Sequence, residues 1–347
     1  MGKVSSYSTH SLVLDTNGCV WCFGGDGLSK LGLDEKSSIL TPRKNENILV
    51  KITQVATGNS HSMMLDETGN VWYCGMLFTH VENFPIQLPN LPAIKSIFGT
   101  LLLDAQGCVW TNESSGTNQP KKFLQLSNLP EIIQIVGRES HSLFIDVDHN
   151  VWVTGSNLWN RIALDDIDST SSPVKLPNLP PITQVSTGTM HSLFLDSEGS
   201  VWGCGSSERG QLGTSRYANP ISKIPGLPPI QLVCAGAAHS IFLDVNGQVW
   251  VCGGNSCGQL GLGDTKNKFQ VQQIQNIPEM QDIAAGMAHS FFIDYEGNAW
   301  SCGSNDFGQL GHGDLRERDT PKKSIHLTGI VQLRKAKQPR IKSARSS

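Results

Sequence analysis

The sequence predicts an all-β protein, a seven-bladed β-propeller built of four-stranded blades. Three observations indicate this fold. A phrase such as HSLFLDSEGSVWGCG (191–205) recurs along the chain, an aspartate precedes a tryptophan by six residues in seven copies, and each copy divides into short β-type segments separated by turns. A repeat of this kind, with strands rather than helices, is typical of propellers.

The tryptophans of these pairs give the length of the repeat. Successive tryptophans are 51, 38, 42, 50, 48 and 50 residues apart. A period of this size predicts a solenoid or a propeller. The tryptophans that mark the seven predicted blades are Trp21, Trp72, Trp110, Trp152, Trp202, Trp250 and Trp300.

Each repeat contains four predicted strands, which we letter A to D. In one copy ITQVS (182–186) is strand A, SLFLD (192–196) is strand B and VWGCG (201–205) is strand C, while strand D is the apolar piece near VKLPNL or QQIQNI. Strand B is apolar at consecutive positions, so both of its faces are expected to be buried. A blade packed between two other blades meets that requirement.

The two chain ends predict how the ring closes. Only MGKVSSYST precedes the first strand B, whereas an A-like piece, IVQL (330–333), has no strand B after it. We therefore expect this C-terminal strand to complete the first blade, which leaves no free sheet edge. Residues 1–333 are then one propeller, and residues 334–347 are a basic tail that we expect to be flexible.

The predicted B–C hairpin explains why aspartate, glycine and tryptophan recur in the same order in the repeats. We expect glycine there to adopt a positive φ, and each tryptophan to bury about 150–250 Å² between blades. The hairpin glycines are Gly18, Gly69, Gly107, Gly199, Gly247 and Gly297, and His149 takes that place in the fourth repeat.

A histidine recurs at the A–B turn. We expect these side chains to be structural and to bond the turn backbone, because equivalent positions around a ring are too far apart for one metal site. The histidines are His10, His61, His141, His191, His239 and His289, and Gly99 replaces the histidine in the third repeat.

Antiparallel order places the turns on two faces. The A–B turns and C–D loops share one rim, which we call the histidine face. The B–C hairpins and D–A connectors share the other, which we call the aspartate face. The G-Q-L-G loops at 210–213, 258–261 and 308–311 therefore lie on the histidine face, with Gly210, Gly258 and Gly308 as structural glycines.

Composition limits the class of protein. No run of 18 apolar residues exists, and MGKVSSYSTH lacks a secretory apolar core, so we expect a soluble protein of the cytoplasm or nucleus, or one exported into a host cell without such a signal. Residues 334–347 hold six Lys/Arg and no acid within a chain of net charge −3, so the body is acidic and nucleic acid is an unlikely ligand.

Cysteines and motifs give no catalytic or metal centre. Four cysteines occupy one repeat position and are predicted to be core residues: Cys74, Cys204, Cys252 and Cys302. Cys19 and Cys22 would point to opposite faces of a strand, so a shared metal ion is not expected. G-x-S-x-G at 254–258 lacks the strand–turn–helix context of a hydrolase elbow. We therefore predict no catalytic residue, no metal and no cofactor.

Two features are candidate partner contacts. The acidic loop ALDDIDSTSS (163–172) could meet a basic patch or be solvated, and Trp159 could be an exposed anchor or pack over the blade end. The charged segment 34–47 is a second loop candidate. The basic tail could be a solvated end, a nuclear import signal, or a phosphate or lipid contact. The candidate contact residues are Asp165, Asp166, Asp168, Trp159, His191, His239 and His289.

The motif H-S-L-F-L-D-x-x-G-x-V-W-x-C-G followed by N-x-x-G-Q-L-G-x-G-D, as in CGGNSCGQLGLGD (252–264) and CGSNDFGQLGHGD (302–314), resembles the regulator of chromosome condensation repeat family. The resemblance covers about residues 4–333, although G-Q-L-G is lost in repeats two to four. It implies a seven-bladed propeller and a small GTPase such as Ran as partner, with guanine nucleotide exchange as an activity. Related propellers are scaffolds, ubiquitin-ligase modules or bacterial effectors.

The alternative function is therefore a non-catalytic scaffold that binds another protein or a lipid head group.

Overall fold

The computed structural model describes residues 4–35, 37–78, 80–112, 122–138, 140–165, 167–215 and 218–327. Within these residues the chain forms seven antiparallel sheets of four strands each, and one 3-10 turn at Leu158–Asn160. The predicted fold class, the number of blades and the number of strands in each blade are confirmed.

The strands follow the repeat in chain order. Blade 1 contains β1 (Val4–Ser6), β2 (His10–Leu14), β3 (Val20–Gly24) and β4 (Ile39–Lys44). Blade 2 contains β5 (Ile52–Thr57), β6 (His61–Asp66), β7 (Val71–Met76) and β8 (Val81–Gln87). Blade 3 contains β9 (Ile94–Phe98), β10 (Leu101–Asp104), β11 (Val109–Asn112) and β12 (Phe123–Gln125). Blade 4 contains β13 (Ile132–Arg138), β14 (His141–Asp146), β15 (Val151–Ser156) and β16 (Ser169–Lys175).

The last three blades repeat the same order. Blade 5 contains β17 (Ile182–Thr187), β18 (His191–Asp196), β19 (Val201–Gly205) and β20 (Ala218–Lys223). Blade 6 contains β21 (Ile230–Ala235), β22 (His239–Asp244), β23 (Val249–Gly253) and β24 (Lys268–Gln273). Blade 7 contains β25 (Met280–Ala285), β26 (His289–Asp294), β27 (Ala299–Gly303) and β28 (Arg318–Lys323).

The A strands line the axis of the ring. Each A strand contacts the A strand of the next blade, from β1 round to β25 and back to β1. The hydrophobic core lies between blades, because each apolar cluster draws residues from neighbouring sheets. Trp72 packs on the cluster of blade 1 and Trp202 on that of blade 4, and both rings are partly buried. The B strands are almost wholly buried, as predicted.

The first blade differs from the prediction. We expected no strand A before β2, but Val4–Ser6 forms one and pairs with β2 through Val4↔Val13 and Ser6↔Ser11. The proposed closing strand (330–333) and the basic tail (334–347) lie outside the described residues. Closure of the first blade by a C-terminal strand therefore stays a prediction.

Direct contacts join the seventh blade to the first. The amide of Met287 donates to the carbonyl of Tyr7 at 2.7 Å, and the hydroxyl of Ser11 donates to the carbonyl of Gln309 at 2.9 Å. The rings of Phe23 and Phe291 pack edge to face with centroids 6.0 Å apart. The ring is thus held at this junction by residues that the structure describes.

The B–C hairpins explain the fixed spacing of aspartate and tryptophan. Oδ1 of Asp196 accepts the amides of Glu198 and Ser200 at 3.0 and 2.8 Å, and Oδ2 accepts Nε1 of Trp202 at 2.9 Å. The same aspartate–tryptophan bond forms in all seven blades. Gly199 has φ of 81°, and His149 adopts 63° at the same place in blade 4, as predicted.

Candidate protein-docking rim

The recurring histidines join neighbouring blades. Nε2 of His191 lies 2.9 Å from Oγ of Ser240 in the next blade, and that hydroxyl donates to the carbonyl of Gln211 at 2.6 Å. Because the serine proton is used in this way, the histidine must donate from Nε2. Burial lowers the pKa of His191, which keeps the ring neutral near pH 7. The equivalent pairs are His10–Ser62, His141–Ser192 and His239–Ser290. His289 differs, because it bonds Ser6 of β1, and the hydroxyl of Ser6 contacts that of Ser11, which occupies the equivalent position.

The histidines are structural, but five of the six bond a serine across the blade junction rather than the turn backbone that we expected. His61 is the exception and interacts with the backbone of Gly99. Burial lowers the pKa of His191, His239 and His289 to about 3. All three side chains are 0% exposed. As candidate partner contacts they therefore lie inside the ring and not on its accessible surface.

Blade 3 interrupts this series. Phe98 pairs directly with Leu101 across a two-residue turn, whereas the equivalent residues in blade 2, Ala56 and Met63, are joined by a longer turn that holds the histidine. Gly99 is thus part of a shortened turn rather than a simple replacement. His61, which points toward this blade, has a buried Nε2 without a hydrogen-bond partner.

An arginine lies across the axis on the histidine face. In four blades the residue three before the histidine is glycine, and a Cβ there would overlap the imidazole ring. Blade 4 has Arg138 at this position and blade 1 has Tyr7. The guanidinium of Arg138 donates to the carbonyls of Thr187 and Ala235 at 2.8 and 3.0 Å, and its Cζ lies 4.9 Å from the centroid of Tyr7. Arg138 thereby connects blades 4, 5, 6 and 1.

Five C–D loops on this face share one backbone. In blade 6 the amide of Gly258 donates to the carbonyl of Asn255, and that of Gly261 donates to the carbonyl of Gly258, at 3.0 and 2.9 Å. Blades 1, 4, 5 and 7 make the same two turns. In blade 4, Asn160 and Ala163 adopt the positive φ of the two glycines, at 57° and 51°.

Blade 4 has lost the G-Q-L-G letters, as the sequence indicated, but it keeps the shape of the loop. SNLWNRIAL lacks the letters G-Q-L-G, but asparagine tolerates a positive φ and the loop keeps its course. The signal that could have identified it is the asparagine at 157, which aligns with Asn255 and Asn305.

In each of these five loops we call one position the tip, and its side chain is exposed or half-buried. The glutamine two residues further along fixes the tip backbone in blades 5, 6 and 7; for example, Oε1 of Gln309 accepts the amide of Phe307 at 2.9 Å. The tip residues are Leu28, Trp159, Arg209, Cys257 and Phe307. The scaffold is therefore repeated while the chemistry of the tip varies.

The two aromatic tips are the largest exposed anchors on this face. Trp159 is 36% exposed and Phe307 is 43% exposed. Below Trp159, Arg161 replaces the glutamine, and its Cζ lies 5.8 Å from the indole ring. Trp159 thus lies in a C–D loop of the histidine face, and the guanidinium of Arg161 lies near its ring.

The acidic loop of blade 4 lies beside Trp159. Asp165 and Asp168 are exposed, while Asp166 lies outside the described residues. The carbonyl of Asp168 accepts the amide of Asn157 at 2.7 Å, so the loop is anchored at its far end. The segment 34–47 instead contains the outer strand of blade 1, β4, and Lys44 at the end of this strand pairs with Glu46 at 3.2 Å.

Other groups on the chain have structural surroundings. Cys74, Cys204, Cys252 and Cys302 are buried, and all nine cysteines are free. Among the described residues, no group of three or more His, Cys, Asp or Glu side chains is placed to hold a metal ion. In the same part of the chain, no helix has the length and hydropathy that a membrane crossing needs.

Comparison with known proteins identifies the family. The RCC1-like domain model matches residues 99–344, and models of the regulator of chromosome condensation (RCC1) repeat match residues 17–65 and 3–28. The chain therefore belongs to the RCC1-like domain family, as the sequence motif indicated.

Particular relatives share the fold or part of the sequence. The crystal structure of Prp20p from Saccharomyces cerevisiae, described with its binding properties to Gsp1p and histones, has a TM-score of 0.80 at 20% identity, covering 90% of this chain and 87% of that chain. Human WBSCR16 has a TM-score of 0.61 at 19% identity, covering 93% and 82%.

A sequence relative is the X-linked retinitis pigmentosa GTPase regulator homolog of Caenorhabditis elegans. It is 32% identical over 75 residues, which are 21% of this chain and 5% of that protein. The chain thus matches only a small part of this relative's length.

Proposed function

We propose that this protein is a protein-binding propeller that docks a small GTPase of the Ran type on its histidine face and promotes release of the bound nucleotide. The observation that carries the proposal is the set of five C–D loops, which share one backbone and present different tip side chains on one rim. A rigid scaffold with variable exposed loops suits recognition of a protein surface.

The chemistry of the rim supports a protein partner with a basic patch. Trp159 and Phe307 provide exposed aromatic area, the type of side chain that often dominates binding energy. Asp165, Asp168 and Asp306 are exposed on the same face. The binding of Gsp1p described for Prp20p and the name of the C. elegans relative agree with a GTPase partner.

Exchange needs no covalent catalysis. If the rim binds the nucleotide-free GTPase more tightly than the loaded form, linkage requires that the propeller weakens nucleotide binding by the same factor. Without that difference in affinity, the same rim would act as a scaffold.

The test is release of fluorescent GDP from Ran in the presence of excess GTP. We expect release to accelerate by about tenfold or more, and the acceleration to fall at least about tenfold in Trp159→Ala and Phe307→Ala. The matched control is Tyr295→Ala, an aromatic residue that is 56% exposed on the aspartate face and should have no effect.

The outcomes separate the two functions. Binding to Ran without faster release would favour the scaffold, and absence of binding to any small GTPase would reject the GTPase proposal. Equal loss of activity in Tyr295→Ala would place the docking surface on the aspartate face instead.

A further inference from the structure

The C–D loops contain a cap residue that fixes each loop from inside. A side-chain oxygen of the cap accepts the backbone amide of the residue five positions later: Leu260 donates to Oδ1 of Asn255 at 2.9 Å, and Leu310 donates to Oδ1 of Asn305 at 3.0 Å. The cap residues are Asp26, Asn157, Ser207, Asn255 and Asn305. Leu31 makes the same bond to Oδ1 of Asp26 in blade 1, at 2.8 Å. The hydrogen bond that the cap accepts is therefore the same whether the cap side chain is an amide or an acid.

The cap side chain also makes a second contact, and this contact differs between loops. Nδ2 of Asn255 donates to the carbonyl of Asp264 at 2.7 Å, and Nδ2 of Asn305 donates to the carbonyl of Asp314 at 2.8 Å. Asn157 and Ser207 likewise donate to carbonyls further along their own loops. Each of these four loops is thus closed by a donor.

Asp26 is the acid in this series. The residue is 2% exposed, and its Oδ2 is buried without a hydrogen-bond partner. The asparagine caps donate a hydrogen bond from the position of Oδ2. An ionised carboxylate has no proton, so Oδ2 of Asp26 cannot donate there. An unpaired buried charge is costly, whereas a protonated acid would donate as asparagine does.

The surroundings of Asp26 do not neutralise it fully. Lys30 is the nearest cation, but its Nζ donates to Oγ1 of Thr9 at 2.5 Å. The other titratable groups that face this region are the buried thiols of Cys22 and Cys74, and His10, which is close to Lys30. Burial raises the pKa of Asp26 to about 6, against the amide of Leu31 and the charge of Lys30, which lower it.

We propose that the Asp26 carboxyl is a proton-operated latch of the first C–D loop. With its proton, Oδ2 donates to a carbonyl of its own loop and closes residues 26–35 in the way that Asn255 closes its loop. When the proton leaves to solvent, the carboxylate repels that carbonyl and the loop opens.

The latch acts at the junction between blades 7 and 1. The loop carries the tip Leu28, and together with Phe307 it borders a cavity of about 260 Å³ that Thr9, Lys30 and Ser38 also line. The shape of the histidine face at this junction is therefore set by pH. This inference concerns the loop itself and stands whether or not a GTPase is the partner.

The experiment compares hydrogen exchange of residues 26–35 in the wild type and in Asp26→Asn, each pair at the same pH from 4 to 8. A carboxyl whose pKa is raised by burial from 3.8 to about 6 loses its contribution to loop stability as the pH rises between these two values. We expect the two proteins to be equally protected near pH 4, the wild-type loop to exchange increasingly faster than the variant loop between pH 4 and 6, and the ratio to level off between about tenfold and a hundredfold above about pH 7.

The reciprocal variant keeps the proposal falsifiable. Asn255→Asp should transfer the same pH dependence to residues 255–264 in blade 6 while leaving blade 1 unchanged. Identical pH profiles for the wild type and Asp26→Asn, or an Asn255→Asp loop without pH dependence, would overturn the latch. Restored protection of the wild-type loop by added Mg²⁺ or Ca²⁺ at pH 8 would overturn it in favour of a bound cation.

Discussion

Nε2 of His239 in the sixth blade lies 3.1 Å from Oγ of Ser290 in the seventh blade. The same hydroxyl donates to the carbonyl of Gln259, in the C–D loop of the sixth blade, at 2.6 Å. One serine thus holds both a turn and a loop of the neighbouring blade, and all of these groups are buried. The recurring histidine is therefore part of the joint between blades.

Removing either member of this pair should destabilise the ring. Ser290→Ala leaves the His239 donor unpaired and leaves the Gln259 carbonyl with only the weak thiol donor of Cys302 at 3.5 Å. We therefore expect a loss of about 1–3 kcal/mol in the free energy of unfolding, measured by urea denaturation. A double-mutant cycle with His239→Ala should give a coupling of about 0.5–3 kcal/mol. The control cycle is His61→Ala with Thr100→Ala, a pair between which the structure shows no side-chain hydrogen bond, so the effects should add.

The buried histidines should make the protein sensitive to acid. Burial holds their folded-state pKa below the ordinary imidazole value of 6.5, at about 3 for His191, His239 and His289 and about 4 for His61. The unfolded chain therefore binds more protons between about pH 3 and 6.5, and stability is lost as the pH falls through that window. Each fully neutral histidine should cost about 2 kcal/mol at pH 5.

This acid sensitivity can be assigned by substitution. In thermal unfolding from pH 5 to 8, His239→Gln should show a shallower loss of stability toward acid pH than the wild type, because glutamine can still donate to Ser290 and does not titrate. His80→Gln, which changes an exposed histidine, should leave the profile unchanged. Equal slopes for the wild type and His239→Gln would contradict the assignment.

The glycines of the C–D loops should differ sharply in their tolerance of alanine. Gly258 has φ of +78°, and an added Cβ would lie 2.5 Å from Cα of Asp319 in the next blade. We expect Gly258→Ala to cost about 2–4 kcal/mol in unfolding free energy. Gly27 has no atom within 4 Å of such a Cβ, so Gly27→Ala should change stability by less than about 0.5 kcal/mol.

The hairpin bond between aspartate and tryptophan should contribute to stability separately from tryptophan packing. Trp202→Phe removes the Nε1 donor to Asp196 and should cost about 1 kcal/mol or more, while Asp196→Ala, which also frees the amides of Glu198 and Ser200, should cost more. Chemical denaturation measures both. Trp159→Phe, at an exposed tip, is the control, and a comparable loss there would argue against the hairpin bond as the cause.

The fold could be predicted because its spacing is set locally. The hairpin that joins Asp196 to Trp202 closes within a few residues. The aspartate and the tryptophan therefore recur at a fixed spacing in the sequence, and the number of these pairs gives the number of blades. The partner of His191 could not be read in this way, because Ser240 lies 49 residues away in another repeat. The short strand Val4–Ser6 was missed because it has one apolar residue and no repeat signature.

The candidate rim was only partly predictable for the same reason. Trp159 was identified because it falls outside the tryptophan register, and the acidic loop because of its charge. The loop of blade 4 was missed because Asn160 and Ala163 adopt a backbone that sequence usually reveals through glycine. Asp26 aligns with Asn255 in the sequence repeat, but its buried and unpaired Oδ2 becomes visible only in the structure.

The two-residue turn of blade 3 has a consequence for how the protein comes apart. Histidine–serine joints run without a break from blade 4 through blades 7 and 1 to blade 2, so both ends of this arc meet at blade 3. Regions with fewer buried polar contacts open at lower free energy than the rest of a fold. Local unfolding of the ring should therefore begin at blade 3 and spread to the blades on either side of it. The blades on the opposite side of the ring should separate last.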